Sequence, residues 1–95
     1  MRALTVYILK CNDDSYYTGV TNDLTRRVEE HQTSFSQNSY TSKRLPLSLV
    51  YANSFDSPND AIAFEKKIKR WSRAKKEALI NGNFDQLVKL SKKKF

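Results

Sequence analysis

Two polar side chains in one predicted helix fall on positions that should face the protein interior. A rotation of about 100° per residue places Arg27 and His31 on the apolar arc of a helix from Leu24 to Gln32. A guanidinium and an imidazole one turn apart have the chemistry to bind a phosphate and to move a proton. The alternative is that both lie at the rim of the inner face and reach solvent with their polar ends.

A carboxylate repeats this pattern in a second predicted helix, from Ser57 and Pro58 to about Trp71. Glu65 lies within the apolar arc that includes Ala61 and Ile68. A carboxylate in this position must be paired, protonated or bound to a metal to offset its desolvation. Glu65 is therefore a candidate ligand for Mg²⁺ or Mn²⁺, and an ion pair with Lys69 is the structural alternative.

Two phenols lie on neighbouring strands of a predicted hairpin. Tyr7 and Tyr17 share one face only if the loop has an odd number of residues, such as Asn12–Asp14. That register pairs Tyr7 with Gly19, which has no side chain and leaves room beside the ring. Tyrosines in strands are often packing residues, and that reading stays open.

Phosphodiester hydrolysis would use all of these groups together. Arg27 would bind the non-bridging oxygens, and Glu65 would hold the metal. A phenol or His31 would transfer the proton, and the residues do not decide between Tyr7 and His31 as general base. The candidate catalytic residues are therefore Tyr7, Tyr17, Arg27 and His31, with Glu65 as the metal ligand and Gly19 in a structural role.

The elements that must position these groups follow from the apolar pattern and the turn residues. Strands are predicted over Leu4–Leu9, Tyr16–Val20 and about Leu47–Asn53, and helices over Leu24–Gln32, Ser57–Trp71, Arg73–Ile80 and Phe84–Lys94. The polar segment from Thr33 to Arg44 is predicted to be a loop. The fold class is α/β (α+β), a three-stranded, largely antiparallel sheet flanked by helices, in the order β-β-α-β-α-α.

The composition predicts a single domain with a polyanionic partner. The 95 residues suit one domain (1–95), with a core at about 4–80 and a helical tail at 83–95. Seventeen Lys and Arg against ten Asp and Glu give a net charge of +7, which favours nucleic acid, and DNA in particular. No apolar stretch approaches the ~20 residues of a membrane span, and the sequence indicates no obligatory protein partner. The single cysteine, Cys11, and the lack of a signal-peptide pattern predict a cytoplasmic protein.

The basic residues are concentrated in a segment that could follow a nucleic-acid backbone. Residues 66–76 include seven Lys or Arg and no acid, although a solvated helix face would have the same pattern. An aromatic residue in the predicted loop could stack on an unpaired base. The candidate nucleic-acid-binding residues are Arg26, Tyr40, Lys43, Arg44, Lys66, Lys69 and Arg73.

The sequences Thr5-Val6-Tyr7 and Tyr17-Thr18-Gly19 resemble the two half-motifs of the GIY-YIG nuclease superfamily. An ordered set of further matches between about Leu4 and Ile80 resembles its small, single-domain bacterial branch. This resemblance implies an active face formed by the five candidate residues, with Tyr7 as general base, Arg27 on the scissile phosphate and Glu65 on the metal. Thr5 and Thr18 depart from the motif, but neither position supplies the chemistry.

These observations favour a divalent-metal-dependent endonuclease that hydrolyses phosphodiester bonds in DNA, with structured or damaged DNA as the expected substrate. The alternative is a non-catalytic, basic nucleic-acid-binding module. A third hypothesis, a membrane-surface or protein-interaction domain, is supported by the net charge alone.

Overall fold

Three antiparallel strands form one sheet in the order β2-β1-β3, and helices pack on both of its faces. The computed structural model describes residues 3–33, 39–83 and 85. The elements are β1 (Leu4–Lys10), β2 (Tyr16–Thr21), α1 (Leu24–Gln32), α2 (Ser39–Ser42), β3 (Ser48–Phe55), α3 (Pro58–Lys69) and α4 (Arg73–Ile80). The predicted fold class and strand directions are confirmed.

The β1–β2 hairpin has the predicted register. Leu9 pairs with Tyr17 and Tyr7 pairs with Gly19. The turn is tight because Asp14 adopts a positive φ of 67°, and its N–H donates to the carbonyl of Cys11 over 2.9 Å. This odd-numbered turn places both tyrosines on the same face of the sheet.

The central strand β1 is buried on both faces, and each face packs against different helices. Val6 and Ile8 form one core with residues of α3 and α4. Tyr7 and Leu9 face the opposite side, where Leu24 and Val28 of α1 pack against the same cluster. The side chains of α1 and those of the inner face of α3 therefore approach the sheet from opposite sides.

Local capping residues define the helix starts. The side chain of Asp23 accepts a hydrogen bond from the backbone N–H of Arg26 at the start of α1, and Ser57 caps α3 in the same way. Pro58 occupies the first turn of α3, where its missing N–H has no cost. After α4, Gly82 has a positive φ of 69°, which suits a glycine following a helix.

Several boundaries differ from the sequence prediction. The segment predicted as a loop from Thr33 to Arg44 contains the short helix α2, and its residues 34–38 lie outside the described part of the chain. The third strand lies at 48–55 instead of 47–53, and α3 ends at Lys69 because the N–H of Trp71 turns back to the carbonyl of Ile68. Apart from residues 83 and 85, the predicted tail at 83–95 lies outside the described residues. No helix in the described ranges has the length and apolar character to cross a bilayer.

Candidate active site

A buried hydrogen-bonded chain links three elements on the α1 face of the sheet. The hydroxyl of Tyr7 in β1 lies 3.2 Å from Nε2 of His31 in α1. The other ring nitrogen of His31, Nδ1, lies 2.8 Å from Oγ1 of Thr41 in α2. The exposed fractions of these three residues are 0%, 1% and 0%. The predicted inward orientation of His31 is thus present, and its polar atoms have partners.

Tyr17 lies beside this chain, so the two phenols and the imidazole form one cluster. The centre of the Tyr17 ring is 5.2 Å from that of His31 and 6.4 Å from that of Tyr7. Gly19 provides the space for this arrangement. A Cβ atom at Gly19 would lie 2.5 Å from Oη and 2.6 Å from Cζ of Tyr7, closer than real contacts allow. Because the hairpin register places Gly19 opposite Tyr7 and glycine has no side chain, the Tyr7 ring packs directly over β2 at Gly19.

Arg27 brings a positive charge to the cluster. Its side chain is about one-third exposed, but its Nε is buried, 3.4 Å from Oε1 of Glu30, and makes no hydrogen bond in the described structure. Burial dominates the pKa of Tyr7, and the positive charge of the guanidinium acts in the opposite direction. It also lowers the pKa of His31. Arg27 and His31 thus both act on the Tyr7 side of α1, in keeping with the prediction that they share one arc of the helix.

Burial sets the protonation states of Tyr7 and His31. Desolvation, with a further contribution from Tyr17, raises the pKa of Tyr7 to about 12 despite the opposing effect of Arg27. Desolvation also lowers the pKa of His31 below its ordinary value, and the charge of Arg27 acts in the same direction. At neutral pH, Tyr7 is accordingly a phenol and His31 a neutral imidazole. A neutral imidazole beside a phenol is able to accept the proton of that phenol.

Glu65 is buried as predicted, but it approaches from α3 on the other face of the sheet. It is 7% exposed, and its Oε2 lies 2.7 Å from Nζ of Lys69. This Glu65–Lys69 ion pair is the structural alternative to a metal ligand that the sequence left open. The hydrogen bond with Glu65 is the main cause of the raised pKa of Lys69, and Tyr17 adds to it. The structure thus joins four of the five candidates directly and relates Glu65 to them through Lys69 and Tyr17.

The donor set around Glu65 fits only one kind of metal site. Among the described residues, no group of three or more His, Cys, Asp or Glu side chains is arranged to hold an ion. A closed cage of the kind that zinc prefers does not fit. Mg²⁺ and Mn²⁺ are compatible, because such ions are commonly held by one carboxylate with waters and phosphate oxygens completing the shell. Lys69 would then share or release Oε2.

Tyr40 and Arg44 lie next to the cluster and contact each other. The Arg44 guanidinium carbon is 3.8 Å from the centre of the Tyr40 ring, and this ring is 6.1 Å from that of Tyr17. Nε of Arg44 also donates to Oδ2 of Asp13 over 2.9 Å. Tyr40 therefore contacts both Arg44 and the Tyr17 side of the cluster. A base that stacked on the outer face of Tyr40 would compete with Arg44.

The remaining residues predicted to bind nucleic acid differ in their exposure and in their ion pairs. Arg73 pairs with Glu77 over 3.0 Å, and its guanidinium carbon lies 4.7 Å from the centre of the Tyr16 ring. Arg26 is exposed and is 4.0 Å from Asp23. Lys43 and Lys66 are exposed, and Lys66 lines an open groove of about 570 Å³ on α3. This groove also includes Ala63, Lys67, Arg70 and Trp71.

Sequence reasoning missed Thr41. Tyr40-Thr41 is among the residues that resemble the family, but Thr41 lies in a polar segment without hydrophobic periodicity, so nothing in the sequence assigned it a role in the site. Only the position of α2 against α1 shows that its hydroxyl meets the imidazole.

The chain belongs to the GIY-YIG family. Residues 4–78 match the family described as the GIY-YIG catalytic domain. The chain is 47% identical over 74 residues to the UPF0213 protein VNG_2274C of Halobacterium salinarum, covering 78% of this chain and 95% of that protein. It is 40% identical over 81 residues to a UPF0213 protein of Streptococcus pneumoniae, covering 85% of this chain and 81% of that protein.

Two solved structures share the fold. The solution NMR structure of the UPF0213 protein BH0048 from Bacillus halodurans aligns with a TM-score of 0.56 and 39% identity, covering 94% of this chain and 97% of that chain. The NMR structure of EF2693 from E. faecalis aligns with a TM-score of 0.62 and 26% identity, covering 88% of each chain. The protein therefore has a nuclease-type fold, which implies nucleic-acid binding.

Proposed function

We propose that this protein is a divalent-metal-dependent endonuclease that hydrolyses phosphodiester bonds in DNA, with structured or damaged DNA as its substrate. The observation that carries the proposal is the buried hydrogen bond between Tyr7 Oη and His31 Nε2, with Arg27 beside it. Packing of the core does not require a phenol, an imidazole and a guanidinium together, since burying polar groups costs free energy. Phosphodiester hydrolysis requires all three functions.

Tyr7 and His31 would act in sequence as a proton path. In the resting state Tyr7 is protonated, because its pKa is raised to about 12. As a water molecule attacks phosphorus, Tyr7 Oη takes a proton from this water and passes its own proton to Nε2 of His31. The P–O bond to the leaving oxygen breaks in the same displacement, and that oxygen departs with the electron pair and takes a proton from solvent. His31 is suited to accept the Tyr7 proton because its imidazole is neutral at rest. In this path both candidates for the general base take part.

Arg27 would bind the non-bridging oxygens of the scissile phosphate. Its Nε is a buried donor without a hydrogen bond in the described structure, and such donors are costly unless a ligand satisfies them. A guanidinium also suits the planar, bidentate geometry of phosphate oxygens. Arg27 would therefore both position the phosphate and stabilise the charge that develops on it.

Glu65 would hold the Mg²⁺ or Mn²⁺ ion, and Lys69 would keep the carboxylate in place before the ion binds. When bound, the ion supplies positive charge that polarises the phosphate and stabilises the leaving oxygen. Tyr7 and His31 have almost no exposed surface. Cleavage therefore requires a local opening that admits water and phosphate to Tyr7 Oη.

The test is cleavage of supercoiled plasmid and of branched or damaged duplexes by purified protein with Mg²⁺ or Mn²⁺. Tyr7→Phe should lower the cleavage rate by about 10²–10⁴-fold, because it removes the group that takes the proton from water, and Tyr17→Phe should lower it by less. Tyr16→Phe is a matched control, because its hydroxyl bonds Glu77 over 3.1 Å on the other face of the sheet. This control should cut at the wild-type rate. Equal rates in all four proteins would show that a contaminant does the cutting.

A non-catalytic nucleic-acid-binding module is the second candidate, and the Glu65–Lys69 ion pair favours it, because this pair satisfies the buried carboxylate without a metal. The exposed cations of α3 would then bind phosphates alone. This candidate predicts binding that weakens steeply with salt, with no cleavage of any substrate with either ion. Binding that persists in Tyr7→Phe together with an absence of cutting by the wild type would establish it.

A further inference from the structure

Thr41 holds the imidazole of His31 from the side opposite Tyr7. Its Oγ1 lies 2.8 Å from Nδ1 of His31, and it is fully buried. We propose that Thr41 is a positioning residue that fixes His31 in the tautomer protonated at Nδ1, so that Nε2 presents its lone pair to Tyr7. The catalytic use of this tautomer rests on the proposed function, whereas the tautomer itself is a property of the folded chain.

A count of donors and acceptors supports this tautomer. In the Nδ1-protonated form, His31 donates to Thr41 Oγ1 and accepts from the Tyr7 hydroxyl at Nε2. Oη of Tyr7 remains able to accept from the Arg27 guanidinium, which has donors only. Both ring nitrogens of His31 and the Tyr7 hydroxyl then have a partner of the right kind, and Thr41 makes a further interaction besides its contact with His31.

The opposite tautomer leaves one proton unplaced. If Nε2 carried the hydrogen, it would donate to Tyr7 Oη, which already has the Arg27 donor nearby. The hydroxyl proton of Tyr7 would then need a further acceptor at a position with no exposed surface. A buried donor without a partner costs free energy, and this cost favours the first tautomer.

The proton path proposed above depends on this choice. Nε2 accepts the Tyr7 proton only while it carries a lone pair, so an Nε2-protonated His31 blocks the transfer. Thr41 touches neither water nor phosphate in this scheme and acts through His31. Thr41 lies in α2, so this short helix outside the central sheet influences which nitrogen of His31 is protonated.

NMR of protein labelled with ¹⁵N histidine tests the proposal directly, since His31 is the only histidine in the chain. Spectra are recorded at about pH 8, where the imidazole is neutral. The wild type should show a protonated Nδ1 and an unprotonated Nε2. Thr41→Ser keeps the hydroxyl and should give the same pattern. Thr41→Val keeps the shape but removes the acceptor, and it should shift His31 to the Nε2-protonated form.

Two results would overturn the proposal. One is an Nε2-protonated wild type, and the other is a Thr41→Val protein with an unchanged pattern. If Thr41→Val fails to fold, Tyr7→Phe gives the answer with Thr41 in place. Thr41 should keep Nδ1 protonated in this variant, because its Oγ1 still lies within hydrogen-bond distance of Nδ1 and can accept that proton. A switch to Nε2–H in Tyr7→Phe would show that Tyr7, not Thr41, sets the tautomer.

The cleavage assay separates this inference from the proposed function. Loss of a group that orients a functional histidine typically costs 10–100-fold, which is the loss expected for Thr41→Val, whereas Thr41→Ser should stay within a few-fold of the wild type. If the wild type cuts no substrate, the proposed function fails while the NMR result still decides the role of Thr41. A Thr41→Val protein that has the Nε2–H form and cuts at the wild-type rate would refute the catalytic use of the tautomer.

Discussion

Replacing Gly19 by alanine should destabilise the protein by disturbing Tyr7. The new Cβ would lie 2.5 Å from Oη, 2.6 Å from Cζ and 3.0 Å from Cε1 of Tyr7, so the ring must move. The ring is fully buried and its hydroxyl is hydrogen-bonded to His31, so a shift of the ring disturbs this bond. Overpacking of this kind costs about 1–3 kcal/mol, and the better backbone propensity of alanine returns about 0.5–1 kcal/mol. We expect a net loss of about 1–2 kcal/mol.

Thermal unfolding followed by circular dichroism measures this loss. For a domain of this size, about 1 kcal/mol lowers Tm by roughly 4–8 °C, so Gly19→Ala should lower it by about 5–15 °C. The displaced ring should also change the ¹⁵N resonances of His31, because the hydrogen bond to Nε2 is lengthened.

Gly82→Ala is the matched control. Gly82 has a positive φ of 69°, and nothing lies within 4 Å of a Cβ atom there. This variant should lose about 1 kcal/mol through backbone strain alone and leave the His31 resonances unchanged. A Gly19→Ala protein with wild-type Tm and wild-type His31 resonances would refute the close seating of Tyr7 over Gly19.

Three further predictions concern buried titratable groups. Because the pKa of His31 is lowered on folding, the unfolded chain binds more protons between that pKa and about 6.5, so stability should fall as pH drops through this window. The free energy of unfolding, measured with urea at several pH values, should depend less steeply on pH in His31→Gln than in the wild type. The same pH dependence in both proteins would contradict the lowered pKa of His31. Burial raises the pKa of Cys11, so its thiol should react with Ellman's reagent at about pH 8 only after denaturation, and fast reaction of the native protein would disprove its burial. Glu65→Gln should cost less than about 1 kcal/mol in urea unfolding, because Lys69 is half exposed and returns to water; a larger loss would mean that the ion pair is a main support of the fold.

Local signals in the sequence predicted much of the fold. The bounds of α1 were predicted from the cap at Asp23 and the apolar spacing of the helix, and both are local properties. Strand alternation predicted Tyr7 opposite Gly19 on the condition of an odd-numbered turn, and the structure meets this condition. The inward orientation of Glu65 likewise followed from helical periodicity.

The parts that the sequence did not reveal depend on tertiary contacts. The helix α2 has only four residues in a polar segment, too short for a periodic signal, and contacts such as Thr41 with His31 hold it. The partner of Glu65 was equally undetermined, because a lysine and a metal ion offset the same desolvation cost. Only the structure shows Lys69 on this carboxylate and places α1 and α3 on opposite faces of the sheet.

The account depends most on one claim, that Glu65 and the tyrosine–histidine cluster form a single metal-dependent site. Mn²⁺ titration of ¹⁵N-histidine-labelled protein tests it, because a paramagnetic ion broadens the resonances of nuclei near it. Broadening of the His31 resonances by low concentrations of Mn²⁺, lost in Glu65→Gln and kept in the surface control Lys66→Gln, is the predicted result. Resonances that stay sharp, or that broaden equally in the wild type and Glu65→Gln, would show that the ion does not bind at this site.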